Sequence, residues 1–469
     1  MSTLNVCLRN SGKFWIALIL VMALVGALVG CAQQPTATPA TAPQAAPTAA
    51  PPAAVPTTAP PAAPSPAAAA PTKPAAKTGK VLMQFPTLEN QYWQDLDAGA
   101  SQAAKALGLE YVKQSYDGSI EKMLSQIENA GALNINMIVT CSMDSESTRK
   151  MFTPAAKQKI FVVAEHNTAA WSTPLDPEYE GYYATFVIPD NVQGSKAMAV
   201  SVFKQIGGKG KVIHLTGMPG NTSADERTLG VDLALKEFPD IQLVARQNGG
   251  EQRTTAQPVI ENLLTAHPDV KAVVCHNDDE AIATLNALRD RGMTDVKVGG
   301  YDAIPEFLDA MQKGTQAVAT TAIHGAWMGG WCVVSAFDAF NGVKVDPVER
   351  MLYFDSLVID TPEAAKAYSE NIYKAQQLPF DWKGMSRFYN PDSWDPQNGF
   401  APLDPVSHFE RTKQNKPAGF TGLPKVLQES IDAGNLKKYV DVYKAHFKGG
   451  PILDVVKLTT AKKTVLGFN

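Results

Sequence analysis

Residues 259–302 read VIENLLTAHPDVKAVVCHNDDEAIATLNALRDRGMTDVKVGGYD, and the texture of this stretch decides the fold. A helix is predicted at 259–266, a short apolar strand at 272–275, a second helix at 280–291 and a second strand at 296–299. The strands are brief apolar runs, and the helices between them are long enough to cross over a sheet. Strands of that kind belong to parallel sheets covered on both faces by helices. The same alternation extends in both directions. Further strands are predicted at 81–85, 137–141, 160–163, 212–215, 242–245 and 317–321, and another opens at 110–112. Helices are predicted at 92–107, 120–130, 191–206 and 224–237. A seam at 188–191 divides the series into two half-sized βα repeats, which gives an α/β chain of two lobes with a cleft between them. Ligands of open α/β sheets bind beyond the carboxyl ends of the strands, so the polar residues just after each strand are the candidates for a site.

With 469 residues, the chain can form two or three packed units. Hydrophobic residues make up 45% and charged residues 19%, the composition of a globular protein. The formal net charge of −4 supplies no basic field of the kind that gathers nucleic acid, so no DNA or RNA partner is expected. Residues 1–31 read as an export signal: Arg9 and Lys13 precede an apolar run at 14–28. That run is short for a membrane-spanning helix, which needs roughly 20 residues. Leu28-Val29-Gly30-Cys31 resembles the lipobox of bacterial lipoproteins, which implies acylation at Cys31 and, with two or more acyl chains, a stable membrane anchor. Residues 32–77 are nearly all Ala, Pro and Thr and read as a disordered tether.

Cys141, Cys275 and Cys332 sit in apolar stretches without CxxC spacing, which suits small core residues rather than a disulfide framework. No GxSxG, HExxH, CxxC or phosphate-loop motif occurs, and no catalytic residue, metal or cofactor is expected. Gly207 to Gly210 precede a strand, whereas phosphate loops follow one. Asp392, Asp395 and Asn398 lack the remaining ligands of a calcium loop. The run His276-Asn277-Asp278-Asp279 fits a polar cluster and, equally, a helix entrance capped by Asn277 or Asp278. After residue 360 helices are predicted at 361–375 and 423–447, with a loop rich in Trp, Asp, Pro and Asn over 378–405.

The polar residues after the strands form a recognisable set. Thr87-Leu88-Glu89-Asn90-Gln91-Tyr92-Trp93 follows the first strand, and Gly217-Met218-Pro219-Gly220 with Glu226-Arg227 and Gly230 follows a later one. Val273 to Asp278 and Gly299-Gly300-Tyr301-Asp302 complete it. In this order they resemble the ribose/galactose-type sugar-binding proteins of ABC transporters, the type I periplasmic-binding fold, over about residues 80–360. The resemblance implies two Rossmann-like lobes with parallel sheets and a three-crossover hinge. The first lobe would be 78–190 with 323–350, the second 191–322 with 351–360, and 361–469 a C-terminal extension.

Carried over by motif, Asn90 would hydrogen-bond a ligand from the first lobe, with Tyr92 and Trp93 as an aromatic wall. Adjacent residues diverge on a helix, so one ring would stack and the other pack. Arg227, Asn277 and Asp302 would grip the ligand from the second lobe. Sugars offer C–H faces to aromatic rings and hydroxyls to planar charged groups. The chain also departs from the family. Glu165-His166-Asn167 stands where the ribose-binding pattern has an Asp-Arg pair, and Glu251 aligns near its second-lobe aromatic. Glu165 and His166 are retained as candidate contacts and Trp171 as a candidate cover. The expected function is capture of a monosaccharide or polyol by hinge closure, without catalysis. The expected partners are an ABC permease and a membrane reached through the lipid anchor, and the protein is expected to be a monomer outside the cytoplasm. The alternative is a sensor of the same fold recognising a sugar-like signal or nucleoside.

Overall fold

The computed structural model describes residues 75–374 and 377–468. The expected signal segment, Cys31 and the tether up to residue 74 lie outside the described residues. The first lobe opens with β1 (Lys80–Phe85), α1 (Gln91–Leu107), β2 (Glu110–Ser115), α2 (Ile120–Glu128) and β3 (Met137–Cys141). It continues with α3 (Ser145–Lys157), β4 (Phe161–Glu165) and β5 (Tyr183–Pro189). The second lobe comprises α4 (Asn191–Gln205), β6 (Gly210–Thr216), α5 (Thr222–Glu237), β7 (Ile241–Asn248) and α6 (Arg253–Ala266). It goes on through β8 (Ala272–Val274), α7 (Asp278–Asp290), β9 (Lys297–Asp302), α8 (Pro305–Gln312) and β10 (Ala317–Ala322). Next come α9 (Gly325–Phe340), β11 (Met351–Phe354) and β12 (Leu357–Ile359).

The first sheet has strand order β13-β11-β5-β4-β3-β1-β2 and the second β12-β10-β9-β8-β6-β7, where β13 is Phe400–Pro402. Pairing is parallel throughout except that β12 and β13 join antiparallel at one edge of each sheet. The reason is local: the interior strands are uniformly buried, as in Met137–Cys141, and need helices on both faces. Three short crossovers link the lobes, at Asp190, at Ile323–His324 and at Asp355–Ser356. Among the described residues no helix is long and apolar enough to cross a membrane.

One packing detail fixes the ligand-facing rim. Helix α9 returns to the first lobe and lies along α1. A Cβ on Gly99 would sit 1.7 Å from the Ala326 carbonyl oxygen, and one on Gly329 would sit 2.0 Å from that of Leu96. These two glycines let the helices meet backbone to backbone, which seats the start of α1 against the second crossover.

Three expectations about the later chain are corrected. Residues 351–360 are not a single strip of the second lobe: β11 pairs with β5 in the first sheet and β12 with β10 in the second. The expected loop over 378–405 contains α11 (Trp382–Met385) and β13, which pairs with β11. The helix expected over 423–447 is two, α13 (Lys425–Asp432) and α14 (Asn435–His446), separated at Gly434, whose φ of +78° suits glycine. The remaining extension helices are α10 (Pro362–Tyr368), α12 (Pro405–Arg411) and α15 (Pro451–Val456).

Candidate functional site

A cavity of about 540 Å³ lies between the carboxyl ends of the two sheets, within the range of small-molecule sites. Seven of the expected residues line it: Asn90, Tyr92, Trp93, His166, Arg227, Asn277 and Asp302.

On the first lobe, Asn90 caps α1, its Oδ1 accepting the Tyr92 N–H at 2.8 Å. The cap fixes the first turn, so Tyr92 and Trp93 project from a defined place. Tyr92 is buried, with its hydroxyl 3.2 Å from His166 Nε2 and its ring edge-on to Trp93 at 5.1 Å. Trp93 remains partly exposed on the cavity wall, so Tyr92 packs and Trp93 is the ring available to a ligand face. His166 has φ +63°, and its Nδ1 faces the Glu165 carboxylate.

On the second lobe, the Arg227 guanidinium carbon lies over the Tyr301 ring, 3.8 Å from its centroid. Its Nη1 donates to the His276 carbonyl oxygen at 3.1 Å, and its Nε donates to Asn191 Oδ1 at 3.3 Å. Asp302 ends β9 with φ +115°, and Ala303 follows at +59°. That turn is held from beneath by Asp278, whose carboxylate accepts the Ile304 N–H at 2.9 Å and the Thr320 hydroxyl. Asp302 stands 3.8 Å from Arg227 Nη1, and among the described residues no group donates a hydrogen bond to it. Burial pushes its carboxyl well up, and Arg227 opposes the shift. Asn277 caps α7 through the Glu280 N–H at 2.9 Å and also lines the cavity.

Two expected residues are corrected. Trp171 is turned away from the cavity: its indole N–H donates to the Gln414 carbonyl oxygen at 2.9 Å, and its ring packs against Phe409 and Phe420. It braces the extension. Glu165 is fully buried behind His166 and does not line the cavity; it orients that imidazole.

Other lining residues went unassigned in the sequence. Glu251, with φ +62°, accepts the Met218 N–H at 2.9 Å and lies 3.7 Å from His276 Nε2. Burial raises its carboxyl and lowers the His276 imidazole, which Arg227 lowers further. Asn167 reaches across the cleft, its Oδ1 accepting the Thr222 hydroxyl at 2.9 Å, and Ser223 donates to the His166 carbonyl oxygen at 3.0 Å. The rims of the two lobes thus touch. All of these residues follow strands or open helices after them, and that position was the available signal. Among the described residues no group of three or more His, Cys, Asp or Glu is placed to hold a metal ion.

The arrangement offers one accessible ring, one guanidinium and the Glu251 and Asp302 carboxyls around the cleft, with Glu89 and Asp117 exposed at its rim, a set suited to a polyhydroxylated compound. Comparisons with known proteins point the same way. Residues 81–344 match the profile of the periplasmic binding protein domain. The ribose import binding protein of Salmonella typhimurium is 30% identical over 275 residues, covering 58% of this chain and 89% of that one. An ABC transporter periplasmic solute-binding protein from Actinobacillus succinogenes with bound D-allose has 27% identity and a TM-score of 0.57, covering 61% of this chain and 99% of that one. The Caulobacter myo-inositol binding protein bound to myo-inositol has 25% identity and a TM-score of 0.55, covering 61% and 94%.

Proposed function

This chain belongs to the periplasmic binding protein domain family, and we propose that it captures a monosaccharide or polyol between its lobes as the solute-binding component of an ABC importer. Binding occurs outside the cytoplasm and involves no chemical conversion. The chain is held to the membrane by acylated Cys31 and delivers its ligand, as a monomer, to a permease.

The observation that carries this reading is the Asp302 carboxylate, buried opposite Trp93 with no protein donor to satisfy it. A buried charge without hydrogen bonds is costly, and ligand hydroxyls would supply the missing donors. Asn90 and the Trp93 face then hold the compound from the first lobe while Arg227, Asn277 and Asp302 hold it from the second. Contacts to both lobes exist together only when the cleft is shut. The ligand therefore shifts the hinge equilibrium by its differential affinity for the closed form.

Isothermal titration against D-ribose, D-allose and myo-inositol tests the proposal. Saturable one-to-one binding of at least one compound is expected. Folded protein that binds none of these, nor any other monosaccharide or polyol in a wider panel, contradicts it.

A further inference from the structure

The extension touches each of the three crossovers. At the first, Arg411 on α12 grips Asp190 with two hydrogen bonds, Nη1 to Oδ2 at 3.0 Å and Nη2 to Oδ1 at 3.1 Å. At the second, the Tyr368 hydroxyl lies 2.9 Å from His324 Nδ1. At the third, the Leu466 N–H donates to Asp355 Oδ1 at 2.8 Å, and the Val465 N–H to the Ser356 carbonyl oxygen at 2.9 Å.

From the first of these points a buried polar chain leads to the ligand cavity. Arg411 Nη2 donates to the Tyr353 hydroxyl at 2.9 Å, which lies 2.7 Å from His408 Nδ1. His408 Nε2 is 3.3 Å from Glu226 Oε1. Glu226 Oε2 accepts the Asn191 side-chain N–H at 3.1 Å, and Asn191 Oδ1 accepts from Arg227 Nε at 3.3 Å and the Tyr301 hydroxyl at 3.2 Å. Tyr353 belongs to the first sheet, Asp190 to the hinge, Glu226 to the second lobe and His408 to the extension. Burial raises Glu226 to about 8 and lowers His408 to about 3, so the site disfavours the charged form of each. Neither Glu226 Oε1 nor His408 Nε2 has a hydrogen-bond partner among the described residues, so their 3.3 Å approach is a polar contact that links the two halves of the chain.

We infer that His408 and Arg411 are positioning residues of the ligand site, and that α12 acts as a strap across the hinge, holding Arg227 in its gripping orientation and biasing the lobes toward closure. This rests on the reading of Arg227 as a ligand contact; the strapping of the hinge does not. Ridge packing alone would brace the extension without this relay. The relay ties the set of the hinge to the guanidinium that meets the ligand.

The full-length chain tests it with two readouts. In titrations with whichever of D-ribose, D-allose and myo-inositol binds the unaltered chain, Arg411→Met and His408→Leu should weaken affinity about tenfold with unchanged stoichiometry. Glu226→Leu should do the same, while Glu226→Gln, which keeps a donor toward His408 and an acceptor toward Asn191, should restore most of the affinity. The second readout needs no ligand. Spin labels at Glu128→Cys on α2 and Arg289→Cys on α7, with Cys7 and Cys31 changed to Ser, report the distance between the lobes. The Arg411→Met variant should populate longer distances than the unaltered hinge. Wild-type affinity in these variants, or an unchanged distance distribution, overturns the inference and leaves α12 a structural brace. Absence of sugar binding together with a lengthened distribution discards the sugar reading and keeps the strap.

Discussion

The two walls of the cavity are built differently. The first lobe supplies Asn90, Tyr92, Trp93 and His166, whose polar atoms are largely engaged within the protein, and two exposed acids at the rim, Glu89 and Asp117. The second lobe supplies Arg227, Glu251 and Asp302, two carboxyls against one guanidinium, set beside His276, whose imidazole burial and Arg227 shift downward. A wall of rings and caps is satisfied whether or not a ligand is present. A wall that holds the buried Asp302 carboxyl is not, because closing the cleft strips water from a group that the protein leaves without a donor. On the proposed reading the contrast says where closure is decided: the first lobe would shape the ligand's resting place, and the second would make the closed form depend on the ligand being there. A ligand that interacts equally with open and closed forms would shift nothing.

Substitutions on the two walls should therefore differ in size. The largest loss is expected for Asp302→Ala, about 3 kcal/mol of binding free energy by calorimetry, since the ligand hydroxyls lose a buried carboxyl partner. Arg227→Ala should follow at about 2 kcal/mol, because the guanidinium both meets the ligand and moderates the charge of Asp302. On the opposite wall Trp93→Ala should cost about 1 kcal/mol through lost ring contact, and quenching of indole fluorescence by ligand should disappear with it. A first-wall loss that equals or exceeds the Asp302 loss would break the comparison.

Smaller still is the effect on affinity of Trp171→Ala, which should leave binding unchanged while lowering thermal stability by about 3 kcal/mol, because that indole packs against the extension. The last contrast concerns pH. Glu226 is raised to about 8 in the folded chain, above its unfolded value, so its contribution to stability is full at low pH and is lost as pH rises through about 8. Glu226→Gln has no such titration. The stability of the variant relative to the unaltered chain should rise between about pH 5 and about pH 9, read as melting temperature.

Much of this molecule was legible in its sequence, for identifiable reasons. The strands β1, β3, β6 and β8 are short apolar runs between helices, and a strand covered on both faces leaves that trace directly. Asn90, Arg227, Asn277 and Asp302 could be found because the cavity lies where strands end, so position and residue type coincide. Glu165 ends β4 and Trp171 comes six residues after it, and both misled the same rule. The direction in which a side chain leaves the turn depends on backbone angles such as the φ of +57° at Trp171, which a string of letters does not carry. Glu251 was visible only as a departure from a family pattern; its role depends on a turn with φ +62° that aims it at Met218 and His276.

The extension was the least legible part. Its elements are short, and each is specified by a partner far away along the chain: β13 by β11, His408 by Glu226 and Tyr353, and Gln414 by Trp171. Local periodicity records none of these pairings, which is why one expected helix proved to be two and an expected loop proved to hold a strand.

The central claim is that one compound spans both walls of this cavity. A crystal structure of the full chain grown with the best-binding sugar or polyol tests it most directly. The account predicts density between the Trp93 ring and the Asp302 carboxylate, with hydroxyls within hydrogen-bonding reach of Asp302 and Arg227. A ligand bound elsewhere, or one held by a single lobe with the cleft open, would contradict it.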